Sequence, residues 1–115
     1  MKQLVEDKIL ADAEKDILMR CRSIIKNSDP SAGVILYGSR ARGNAEKESD
    51  YDLLILTDKE VNLEREDIFR RQLFPIEIET GAVLTVFLIS RDDWNSPLYN
   101  EMPFYQNVKR EGVFL

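Results

Sequence analysis

Two aspartates one residue apart, Asp50 and Asp52, are the side chains best placed for chemistry in this sequence. They open an apolar run at residues 53–56 that reads as a strand. In an extended chain, residues i and i+2 project from the same face, roughly 7 Å apart at the backbone. Two carboxylates about 5 Å apart at an effective dielectric near 20 repel by roughly 3 kcal/mol, a large share of the roughly 5–15 kcal/mol that holds a domain together. A cation is therefore expected between them. The strand carries no Lys or Arg of its own, whereas a hard divalent ion such as Mg²⁺ takes carboxylate oxygens and keeps positions open for water and phosphate oxygens. Upstream, a second apolar run at residues 34–37 leads into Gly38 and Ser39. Glycine permits close backbone approach, a helix start presents free N–H groups, and Ser39 adds a hydroxyl, which together make half of a phosphate site. The two halves predict a site for a metal-bound nucleotide.

These residues need elements to hold them. Residues 33–37, apolar without alternation, predict a central strand covered on both faces. Residues 39–43 suit one helical turn, residues 44–49 a polar loop, and residues 51–56 the second strand. Residues 2–27 predict helix, since Leu4, Val5, Ile9, Leu10, Ile17, Leu18, Cys21, Ile24 and Ile25 recur near the 3.6 period, with a thin place at residues 11–13. Pro30 stops it, because the residue before a proline is pushed out of helical geometry. Residues 62–73 predict another helix. Residues 75–79, Pro-Ile-Glu-Ile-Glu, alternate strictly and predict a third strand. Thr80 and Gly81 then turn the chain into a fourth, residues 83–89, antiparallel to the third. Ser90 is placed to cap a helix start, residues 95–103 read as irregular, and a last helix at residues 104–111 ends at Gly112 as its C′ residue. The expected fold is α/β, a mixed sheet of about four strands with flanking helices. One domain is expected over residues 1–115: an N-terminal helical segment near 2–27, a core near 32–90 and a C-terminal helical segment near 91–115.

Charge and composition narrow the function. The 115 residues carry a formal charge of −5 and a pI near 4.8, which argues against a polymerase or a duplex-DNA binder, since gripping many phosphates calls for a basic surface. A local basic patch remains at Arg40 and Arg42. The chain has no histidine and one cysteine, which excludes zinc clusters, histidine-based acid–base chemistry and an internal disulfide framework. Cys21 reads as a small buried apolar residue, and Tyr37, Tyr51 and Trp94 as core or rim aromatics. The N-terminus is too charged for a signal peptide and no apolar run reaches membrane-spanning length, so a cytoplasmic protein is expected.

Gly38 and Ser39, ten intervening residues and then Asp50-Tyr51-Asp52 resemble the signature of the DNA polymerase β-type nucleotidyltransferase superfamily. The fuller strings, Gly-Ser-Arg-Ala-Arg-Gly at 38–43 and Ser-Asp-Tyr-Asp-Leu at 49–53, resemble the minimal nucleotidyltransferase (MNT) domains of prokaryotes. Residues 107–113 also resemble the end of many such proteins. The resemblance implies a polymerase β-type nucleotidyltransferase fold and a Mg²⁺-dependent enzyme, using one or two ions. Such an enzyme moves a nucleoside monophosphate, AMP from ATP above all, to a hydroxyl and releases pyrophosphate. It implies Asp50 and Asp52 as catalytic metal ligands, with Gly38 and Ser39 on the triphosphate and Arg40 and Arg42 either on phosphate or paired with Glu46, Glu48 and other acids. Lys109 and Arg110 read as a solvated helix face. A third carboxylate is expected of a two-metal site. In many MNT domains it follows a proline and an apolar residue, as Glu77 follows Pro75 and Ile76; Glu79 shares its face, and the choice among Glu77, Glu79 and neither stays open. In other relatives the acid lies on the strand leading into a Trp-containing segment, where this chain has Thr85. The resemblance further implies a HEPN-type partner protein, which the enzyme would modify. The alternatives are an antitoxin-like module that neutralises such a partner without catalysis, and a small-molecule, antibiotic-type nucleotidyltransferase, for which the chain is short.

Overall fold

The computed structural model describes residues 1–44, 46 and 49–115. The chain opens with a two-residue strand, β1 (Lys2–Gln3), and a 3-10 turn (Leu4–Glu6) rather than with the first half of a long helix. Buried Asp7 decides this: its carboxylate accepts from the N–H groups of Ile9 and Leu10 and pairs with Lys2 at 2.6 Å, while its carbonyl accepts from Lys15. Helix α1 (Asp12–Ser28) starts where the apolar stripe is thin and ends before Pro30. Strand β2 (Gly33–Tyr37) runs through a tight turn into α2 (Ser39–Arg42), and β3 (Tyr51–Thr57) follows the loop.

Helix α3 (Leu63–Thr80), capped by the Asn62 side chain on Arg65 N–H, is the main correction. Residues 75–79 are its last turns, not a third strand. Phe69, Leu73 and Ile76, spaced i, i+4 and i+7, are buried on one face, whereas Phe74 and Ile78 are exposed. The helical period thus runs through Pro75. Over five residues a period of two cannot be told from a helix turn, and the burial of Ile76 against α1 and the sheet decides between them.

Strand β4 (Leu84–Ser90) consequently pairs parallel to β3, with α3 as the crossover, and not antiparallel to a neighbouring hairpin arm. Ser90 caps α4 (Arg91–Trp94) by accepting from Asp93 N–H; α5 (Pro97–Asn100) occupies part of the expected irregular stretch, and α6 (Pro103–Glu111) leads into β5 (Val113–Phe114). Gly112 is extended (φ −66°) and not left-handed, so it is no αL C′ residue. A Cβ there would fall 2.5 Å from the Val108 carbonyl oxygen, so glycine is needed for close packing.

The mixed five-stranded sheet runs β1-β5-β2-β3-β4, an α/β arrangement consistent with a nucleotidyltransferase fold. Its two faces bury separate cores. Tyr51, Leu53, Ile55, Val86 and Leu88 meet α1 and α3 on one side; Ile35, Leu54, Leu56 and Ile89 meet Trp94 and Val108 on the other. Three α3 side chains cover the outer edge of β4: Glu66 accepts from Leu88 N–H, Arg70 donates to the Val86 carbonyl, and Glu77 accepts from Leu84 N–H. Backbone groups that would otherwise stay open along a sheet edge are thereby satisfied. Cys21 is buried in the first core, and desolvation pushes its thiol up to about 12, which suits a packing role. No helix among the described residues is long and apolar enough to cross a membrane.

Candidate active site

Antiparallel pairing of β2 and β3 puts Tyr37 opposite Asp52, so the turn that follows β2 lies beside the start of β3. Gly38 there has φ +80°, a conformation that costs other residues about 1–3 kcal/mol. A Cβ on Gly38 would fall 2.3 Å from Asp52 Oδ2. The glycine is thus required for the turn and for its contact with the carboxylate. Ser39 begins α2, whose first N–H groups, as at any helix start, have no partner within the helix.

Tyr51, between the two acids, is buried in the core on the α1 side, so Asp52 faces the other side of the sheet. Asp50 lies just before the strand and is exposed; Asp52 is half-buried. Parallel register with β4 sets Thr85 opposite Asp52, and its hydroxyl donates to Asp52 Oδ1 at 2.7 Å. That leaves Oδ2 toward Gly38. No ion pair joins Asp50 or Asp52 to a cation among the described residues, unlike most acids of α3. Burial first, and then the negative Asp52, raise the Tyr37 phenol, which therefore stays protonated at neutral pH.

The two arginines after the turn are engaged with protein groups. Arg40 donates to the Ser49 carbonyl from Nε and Nη2 and to Glu14 at 2.9 Å, and lies over the Tyr51 ring at 4.1 Å, so it braces the loop that delivers Asp50. Arg42 pairs with Glu111 at 3.1 Å, and Glu46 turns back on Ser49. Glu48 lies outside the described residues. Lys109 lies against Tyr105 and Arg110 bonds Asn107, both on the exposed face of α6.

The proposed third acids do not join this group. Glu77 sits on α3, against the sheet face opposite Asp52, with its carboxylate on Leu84 N–H; Glu79 is on the same helix, paired with Arg20 at 2.5 Å. Their placement on a strand fails with the helix that carries them. Among the described residues no three acidic, cysteine or histidine side chains converge.

A family model described as nucleotidyltransferase domain matches residues 18–110, from the middle of α1 to the end of α6. The chain belongs to the nucleotidyltransferase domain family. No curated protein matches it closely enough to add a relative. The matched span includes the Gly38 turn, both aspartates and Thr85, so the family's chemistry, transfer of a nucleoside monophosphate from a nucleoside triphosphate, falls on this end of the sheet. Nucleotidyltransferases typically also use a divalent cation. The donor set fits one such ion: two carboxylates on a half-open edge, one with a free oxygen toward a phosphate-binding turn, match the habit of Mg²⁺ of taking one or two carboxylates plus substrate phosphates. Thr85 stands where a third carboxylate would share Asp52's row. The one sequence signal for this was its position five residues before Ser90 and nine before Trp94; the register that brings it to Asp52 is not visible in the sequence.

Proposed function

We propose that residues 1–115 form one minimal nucleotidyltransferase domain that transfers AMP from ATP to a hydroxyl on a partner protein in the cytoplasm. The contact of the Gly38 turn with the Asp52 carboxylate carries this reading, because it sets a phosphate-binding bend against the one half-buried acid of the β3 edge. Asp50 and Asp52 would hold Mg²⁺, which when bound neutralises phosphate charge and acidifies a coordinated hydroxyl. Ser39, through its hydroxyl and N–H, holds the β- and γ-phosphates. Thr85 fixes Asp52 by bonding Oδ1, which keeps Oδ2 turned to the bend. Arg42, with 44% of its side chain exposed, can exchange Glu111 for a phosphate, while Arg40 keeps the loop in place. In the transfer, the acceptor oxygen bonds to the α-phosphorus as the bond to the bridging oxygen breaks. Pyrophosphate leaves with the electron pair, and the hydroxyl proton goes to water.

A HEPN-type protein is the proposed partner, on the resemblance of the 38–53 segment to MNT domains. The pair of carboxylates without a described third favours a second reading, an antitoxin-like module that silences its partner by contact. Incubation with α-labelled ATP and Mg²⁺, with and without co-purified partner, separates the two. Label transfer that disappears in Asp52→Ala is the expected result; partner inhibition that survives Asp50→Ala and Asp52→Ala, with no label transferred by the wild type, favours contact alone.

A further inference from the structure

The location of the acceptor follows from the same site, and rests on the nucleotidyltransferase reading. Displacement at phosphorus sets the attacking and leaving oxygens roughly in line. The bend that would hold the departing pyrophosphate lies on the β2 side of Asp52, since Tyr37 is Asp52's partner there. The attacking hydroxyl must then come from the opposite side, over β4, where Thr85 is the partner. Two residues along the same face of β4 stands Phe87, 43% exposed although Val86 and Leu88 beside it are buried. Its ring stacks on Phe104 of α6, with centroids 5.7 Å apart and planes 24° apart, and Phe104 meets Tyr37 edge-on at 5.3 Å. Three rings thus floor the sheet beside Asp52 from β2 to β4. The open end of that floor is on β4.

We propose that Phe87, backed by Phe104, is the acceptor platform, and that it selects a hydroxyl carried on or next to a flat apolar ring. Scattered exposed phenylalanines are ordinary on protein surfaces. This one is pinned by a stack and stands one row from Asp52, about 7 Å along the strand from Thr85. The acceptor ring lies on Phe87 while its hydroxyl reaches past the small Thr85 side chain toward the α-phosphate. Thr85, already bonded to Asp52, leaves the passage clear.

The test uses small acceptors with the full chain, Mg²⁺ and α-labelled ATP: 4-methylphenol and 2-phenylethanol against glycerol, with ATP affinity read separately by calorimetry. The wild type is expected to prefer the aromatic acceptors by about tenfold in kcat/KM, in keeping with one aromatic stack. Phe87→Ala should abolish that preference while the ATP Kd stays within about twofold, and Phe87→Trp should keep it. Weakened ATP binding in Phe87→Ala with the acceptor preference intact would assign the ring to the nucleobase and overturn the proposal. Equal use of glycerol and the aromatic acceptors by the wild type overturns it alone. A wild type that binds no ATP overturns the nucleotidyltransferase reading and this one with it.

Discussion

At the closing end of β3, Thr57 donates to a fully buried carboxylate, Asp29, which also accepts from Ser31 N–H, the Ser31 hydroxyl and Arg65 at 2.9 Å. At the opening end, Asp52 receives one hydroxyl, from Thr85, and Asp50 stands in solvent. Burial alone would raise the Asp29 carboxyl, but hydrogen bonds from Thr57, Ser31 and Arg65 outweigh it and hold it at about 2. A buried charge has to be paired within the fold. One at a half-open edge can be left to water and thus to a ligand. The difference separates an acid that builds the molecule from a pair that the molecule holds in readiness.

Exchanging the two ends is the sharpest way to break this contrast. Asp52→Ala should lower transfer by about 10³-fold or more with little change in a thermal melt, because no ion pair depends on it; a melt that collapses would merge the two ends. Asp29→Ala should do the reverse, destabilising the fold by about 3–5 kcal/mol in denaturant titrations by leaving Arg65 without its partner, while ATP binding persists wherever the protein is folded.

The same contrast has a pH signature. Because the folded Asp29 carboxyl lies near 2, below its ordinary value of about 3.9, it adds stability above roughly pH 4, and that contribution fades as pH falls toward 2. The stability gap between wild type and Asp29→Asn should therefore narrow across that window, read from denaturant midpoints at a series of pH values. A gap independent of pH would show that the carboxylate is not held ionised by its donors.

Smaller effects sharpen the site end. Gly38→Ala forces a left-handed φ on alanine and drives a methyl onto Asp52, which should cost about 1–3 kcal/mol and reduce transfer together with stability. Thr85→Val removes only the bond that orients Asp52. A loss of about tenfold in kcat without change in the melt is expected, with Thr85→Ser restoring most of it; no loss would mean that Asp52 needs no orienting partner.

Strands β2 and β3 and the bend between them were readable from local pattern, since a buried central strand is written as an unbroken apolar run and the bend as Gly38 and Ser39. Helix α1 was readable only from Asp12 onward: the apolar residues before it, Leu4 and Leu10 among them, are buried by a turn built around Asp7. The misassigned segment, residues 75–79, had a proline and a period of two against it, and its helical burial depended on α1 and the sheet lying beneath.

The sequence by itself determined the two acids, the glycine-serine bend and the spacing between them, because these are short-range features in which each residue's own conformational freedom and charge suffice. Only the tertiary structure decided what surrounds them. Parallel pairing of β4 with β3 brought Thr85 to Asp52 and Phe87 to the row beyond, and the same crossover carried Glu77 to the far side of the sheet. Register between strands separated by an eighteen-residue helix is set by which side chains can share a core, and that is a property of the whole fold.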